Sequence, residues 1–131
     1  MTVRSSSALA LIIDHDLGFM MWLAEMFAEL GYQAMPALNY RQALALTKRL
    51  EQPIAILVVN PELRGAERMV KCLVAANPGV RLVLIRNPAT DDVAIQQNPS
   101  GLKARFTLAR PSPGESISRP DWVARIRKVV L

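Results

Sequence analysis

Cysteine and histidine are almost missing from this chain. Its 131 residues include one cysteine, Cys72, and one histidine, His15. A lone cysteine closes no internal disulfide and builds no multi-cysteine metal site. One Cys with one His also leaves zinc without a ligand set. Cys72 stands among apolar neighbours in a helical pattern, so it is expected to be buried and structural. Long apolar runs are missing too; none approaches the roughly 18–20 residues that span a bilayer. Met1 to Ala8 hold one Arg and three serines, and the apolar stretch Ala8 to Ile13 is too short for a signal-peptide core. A cytoplasmic location is the expectation. No helix-turn-helix pattern, aromatic stacking platform or Gly-rich phosphate loop is readable.

What is present is globular. Apolar residues make up 51% of the chain and charged residues 21%, enough for one domain with a real core. We expect a single domain over residues 1–131, with 1–8 disordered. The net charge of +5 is uneven. Residues 1–62 carry 4 basic and 6 acidic side chains, and residues 63–131 carry 12 basic and 5 acidic. Such asymmetry marks an acidic partner, nucleic acid or a solvated basic face.

Leu9 to Ile13 is an apolar run that stops at Asp14-His15-Asp16 and reads as a buried strand. Leu17 to Leu30 follows at helical spacing and Gly31 ends it. Tyr32 to Ala37 reads as a strand. Asn39 caps a helix from Tyr40 to Leu50. Ile54 to Val59 is the strongest strand signal and ends at Asn60-Pro61. Gly65 to Ala76 places Met69, Cys72, Leu73 and Ala76 on one helical face. Asn77-Pro78-Gly79 is a turn, and Val80 to Ile85 a fourth strand. Asn87 to Gly101 leaves room for a short helix near Asp91 to Gln96. Ala104 to Leu108 is a weaker fifth strand. Ser118 or Arg119, with Pro120, opens a last helix whose apolar face is Trp122, Ile126, Val129 and Val130. Strands alternating with helices imply βαβ units and an α/β fold with a doubly wound, five-stranded parallel sheet. Nothing after the last helix suggests an output domain.

In an open parallel sheet, ligands bind beyond the carboxyl ends of the strands, at the switch in strand order. The residues there are Asp14, His15 and Asp16, then Asn60, then Arg86 and Asn87, then Arg110 and Pro111.

At these positions the chain resembles response-regulator receiver domains. Leu11 to Asp16 is similar to their first strand and acidic cluster, and Ala28 to Tyr32 to the end of their first helix. Ile54 to Gly65 resembles the strand and loop around the phospho-accepting aspartate. Arg110-Pro111 resembles the lysine and cis-proline pair after the last strand. The resemblance implies a flavodoxin-like sheet of order 2-1-3-4-5 and a role in two-component signal transduction and phosphorelay. It also implies departures. Asp14 stands at the first of two paired acids and His15 at the second, with Asp16 one place late. Asn60 replaces the phosphoacceptor, Arg86 the hydroxyl residue and Arg110 the lysine. The aromatic switch position falls on Thr107, with Phe106 one place off.

Phosphoryl transfer to such a site needs a carboxylate nucleophile beside Mg²⁺. Asn60 offers an amide, and Mg²⁺ favours charged oxygen ligands that Asn60 and His15 no longer supply. Mg²⁺ is therefore not expected, nor any other cofactor, and Asn60→Asp alone should not restore a phospho-switch. Arg86 or Arg110 is expected to pair with Asp14 as the internal counter-charge; the alternative leaves Arg86 in solvent. His15 is read as a polar cleft residue rather than a pH sensor. The leading functional expectation is a non-enzymatic pseudo-receiver, phosphorylation-independent and working by protein–protein contacts. Its partner face would be Lys103, Arg105, Arg119, Arg125, Arg127 and Lys128, engaging an acidic protein or a second copy. Nucleic-acid or nucleotide binding by the basic half rests on charge alone. An enzyme using Asp14 and Asp16 as acid and base ranks last.

Overall fold

The computed structural model describes residues 8–50, 52–86, 106–111 and 118–130. The chain runs β1 (Leu9–Ile13), α1 (Leu17–Glu29), β2 (Gln33–Ala37), α2 (Tyr40–Arg49), β3 (Ile54–Val59), α3 (Ala66–Ala76), β4 (Arg81–Arg86), β5 (Phe106–Ala109) and α4 (Arg119–Val130). The expected residues 1–8 disorder and the short helix near Asp91 fall, apart from Ala8, outside the described residues. So do Lys103 and Arg105.

The sheet has five strands in the order β2-β1-β3-β4-β5, all parallel. Burial explains the centre. Every residue of β1 is buried, as a strand covered on both faces requires. The pleat divides the core in two. Ala10 and Ile12 face α1 and α4, where Met20, Leu23, Phe27, Trp122 and Ile126 pack. Leu9, Leu11 and Ile13 face α2 and α3, where Ala43, Met69, Val70 and Leu73 pack. A register shift beside Leu9 and Ala10 skips one residue of β3. It lets Ile54 join the second layer although Ile56 and Val58 belong to the first. Pro36 lies in β2, an edge strand, where a missing N–H is tolerated.

The helix ends follow their side chains. Asn39 caps α2 by accepting the Gln42 N–H at 2.9 Å. Ser118 does so for α4, accepting from the Asp121 N–H at 3.3 Å. Gly31, at φ +93°, turns the chain out of α1 in a conformation that L side chains avoid. Asn77 fastens α3 to β3: its Oδ1 accepts the Ile54 N–H and its Nδ2 donates to the Leu73 carbonyl, both at 2.8 Å.

Cys72 corrects an expectation, because it is exposed. The buried stripe of α3 is Ala66, Met69, Val70 and Leu73. At 100° per residue, Cys72 sits roughly 110° from the centre of that stripe. Ala76, expected on the same face, is exposed as well.

Candidate functional site

Sheet hydrogen bonding continues one residue beyond three strands, and it fixes the backbone of the cleft. The Asp14 N–H donates to the Ala37 carbonyl at 3.2 Å, the Asn60 N–H to Ile13 at 2.9 Å, and the Arg110 N–H to Arg86 at 2.8 Å. Asp14 and Asn60 thus sit side by side on adjacent strands at the switch in strand order.

Asp14 is completely buried. Its Oδ1 accepts from Asn60 Nδ2 at 2.8 Å and lies 3.2 Å from His15 Nδ1. Its Oδ2 lies 2.8 Å from an Arg110 guanidinium nitrogen. That approach is close but off the N–H axis, so the contact is an ion pair without an aligned hydrogen bond. Arg110 is itself 15% exposed. Its second terminal nitrogen is 3.7 Å from Asp16 Oδ2, and its Cζ lies 4.6 Å from the centre of the Phe19 ring. A flat, weakly hydrated guanidinium suits this position, with a carboxylate beside it and an aromatic face beneath.

Asn60 is also buried, and both ends of its amide are used. Nδ2 donates to Asp14, with His15 Nδ1 a further 3.3 Å contact. Oδ1 accepts the Glu62 N–H at 2.9 Å, closing a turn of the chain onto itself. This network fixes which end is nitrogen: the reverse orientation would set an oxygen against the Asp14 carboxylate.

Asp16 is engaged locally. It is the N-cap of α1, and its Oδ1 accepts the Phe19 N–H at 3.1 Å. His15 projects outward with its side chain 68% exposed.

The cleft therefore brings together Asp14, His15, Asp16, Asn60 and Arg110. Arg86 is exposed at the end of β4, and Arg110 alone makes the pair with Asp14 that was expected of one or the other. Arg110-Pro111 differs from the cis-proline expectation, since no cis peptide bond occurs among the described residues. Thr107 is exposed and Phe106 half-buried beneath the Arg81 guanidinium, 5.1 Å from its ring centre. Phe19 was not anticipated. Its place three residues after the Asp16 cap, on the inner face of α1, was the available signal.

The site does not fit a divalent cation. Asp14 Oδ2 is occupied by Arg110, Asp16 Oδ1 by the helix end, and Asn60 presents an N–H₂ to the carboxylate. A positive guanidinium stands against the buried Asp14 carboxylate. Among the described residues no three His, Cys, Asp or Glu side chains form a metal-holding group.

The partner-face residues on α4 differ among themselves. Arg119 is paired with Glu29 at 2.7 Å, which raises its already high pKa. Arg125 lies over the Trp122 ring with Cζ 5.5 Å from its centre. Arg127 and Lys128 are exposed in the last turn. No helix among the described residues is long and apolar enough to cross a membrane.

No protein-family model and no curated protein matches the chain by sequence. Solved structures do match by shape. A response regulator from Thermotoga maritima is similar with a TM-score of 0.70 at 13% identity, over 95% of this chain and 98% of that one. The chemotaxis response regulator CheY4 of Vibrio cholerae gives 0.69 at 13% identity, over 95% and 99%. A response regulator receiver domain from Clostridium thermocellum gives 0.64 at 14% identity, over 94% of each. With its strand order and its cleft at the β1–β3 switch, the chain has the fold of response-regulator receiver domains.

Proposed function

We propose that this chain is a pseudo-receiver, a signalling module that works by protein contacts and accepts no phosphoryl group. The observation that carries the reading is the Asn60 amide, buried where an acceptor carboxylate would stand and hydrogen-bonded at both ends. An amide oxygen is a weak nucleophile, and this one already accepts a backbone N–H. The Asp14–Arg110 ion pair supports the same reading, because it meets the buried charge without a metal. The module is not an enzyme on this account. Asp14 is buried against Arg110, and Asp16 caps a helix.

The contact surface we assign is the end of α4. There Arg125, Arg127 and Lys128 are exposed, while Arg119 is already matched by Glu29. An acidic protein surface complements it, and a second copy of the chain is one candidate. Light scattering at high concentration tests the homodimer, and a strict monomer would leave a foreign acidic protein as the partner.

The direct test of the reading is incubation with acetyl phosphate and Mg²⁺, followed by intact mass. The mass should stay unchanged. A phosphoryl adduct on any carboxylate would overturn it.

A further inference from the structure

A continuous line of contacts leaves the cleft and ends on the exposed side of α4. Asp14 holds Arg110 at 2.8 Å, and Arg110 lies over the Phe19 ring at 4.6 Å. Phe19 meets Trp22 with ring centres 6.1 Å apart. Trp22 meets Trp122 edge-on at 5.0 Å, and Arg125 covers the Trp122 ring at 5.5 Å. The spacing in the sequence makes this possible. Phe19 and Trp22 are three apart on α1, Trp122 and Arg125 three apart on α4, so each pair shares one helix face.

Two features suit this line to carry a coupling. First, the groups are close-packed, and dense interiors pass on displacements instead of absorbing them. Second, Trp122 is fully buried, yet its Nε1–H has no hydrogen-bond partner among the described residues. Packing against Trp22 and Arg125 holds its ring in place.

We propose that Arg110 is a positioning residue that transmits the state of Asp14 through Phe19 and Trp22 to Trp122, and so sets the placement of Arg125 on α4. A change in the cleft is then felt on that surface with no phosphoryl group involved. The proposal stands apart from the functional reading. Phosphate incorporation would overturn that reading and leave this coupling intact.

The two tryptophans are the only ones in the chain, so their indole N–H resonances report on the line directly. The test compares ¹H–¹⁵N spectra of full-length wild type, Asp14→Asn, Phe19→Leu and the double variant, with Trp22→Phe giving the assignment. Asp14→Asn should shift both indole resonances. The same change made in the Phe19→Leu background should leave them in place, because Leu keeps bulk but removes the ring. Unmoved indoles in folded Asp14→Asn would overturn the proposal, as would an equal shift in both backgrounds. Should Asp14→Asn fail to fold, Arg110→Lys replaces it. Lysine keeps the charge but loses the planar contact with Phe19. The indoles should then shift, and unmoved indoles in folded Arg110→Lys would overturn the proposal.

Discussion

Asp14 has no exposed surface, so its charge must be met inside the protein. Arg110 meets it from 2.8 Å, and Asn60 adds a hydrogen bond. Removing one partner of a buried pair strands the other, which typically costs about 3–5 kcal/mol. Arg110→Met is expected to destabilise by that amount in chemical denaturation. Arg86→Ala, at an exposed position, should stay within about 0.5 kcal/mol. Asn60→Asp replaces the donor at 2.8 Å with a second carboxylate. It should cost about 2 kcal/mol or more near neutral pH. That deficit should shrink on acidification, because a variant carboxylate forced against another binds a proton more readily in the folded state. A deficit that grew on acidification would refute this. The sequence placed both arginines beside the cleft but could not choose between them. The choice lies in the pleat. Arg86 is opposite Ala109 in the β4–β5 register, so Arg110, one residue on, turns to the other face.

At the scale of elements, legibility followed apolar runs. β1 and β3 were readable to the residue, because a strand buried on both faces is continuous in the sequence. The boundaries of β4 and β5 were displaced by one or two residues, as expected where polar residues flank a short run. The α3 face was misread at Cys72, which turns toward the start of α2. There the Tyr40 phenol is pushed above its ordinary value, first by its hydrogen bond with the Cys72 thiol. A raised phenol stays protonated to higher pH, so Cys72→Ala should let Tyr40 ionise at lower pH. Absorbance titration in a Tyr32→Phe background checks this, and an unmoved Tyr40 would contradict it. Asn77 was legible only as a turn residue. Its two hydrogen bonds tie β3 to α3. Asn77→Ala should destabilise by about 2 kcal/mol in denaturant unfolding, since it leaves the Ile54 N–H without a partner. The aromatic line from Phe19 to Trp122 lay outside what the sequence disclosed, because it joins α1 to a helix a hundred residues away.

At the scale of the molecule, the fold is that of a receiver domain, and its cleft meets the buried charge from within. The sheet order and the position of the cleft followed from the alternation of strands and helices. A cleft built for a metal would leave acidic oxygens open and unmatched by protein cations. Here Arg110, the Asn60 amide N–H₂ and the α1 N-terminus take up those oxygens from within. A guanidinium thus serves as the counter-charge to Asp14. Thermal unfolding of the wild-type chain with and without millimolar Mg²⁺ distinguishes this arrangement from a metal site. A ligand that binds only the folded state raises its stability. The melting temperature should be the same in both conditions. A rise with Mg²⁺ that disappears in Asp14→Asn would contradict it.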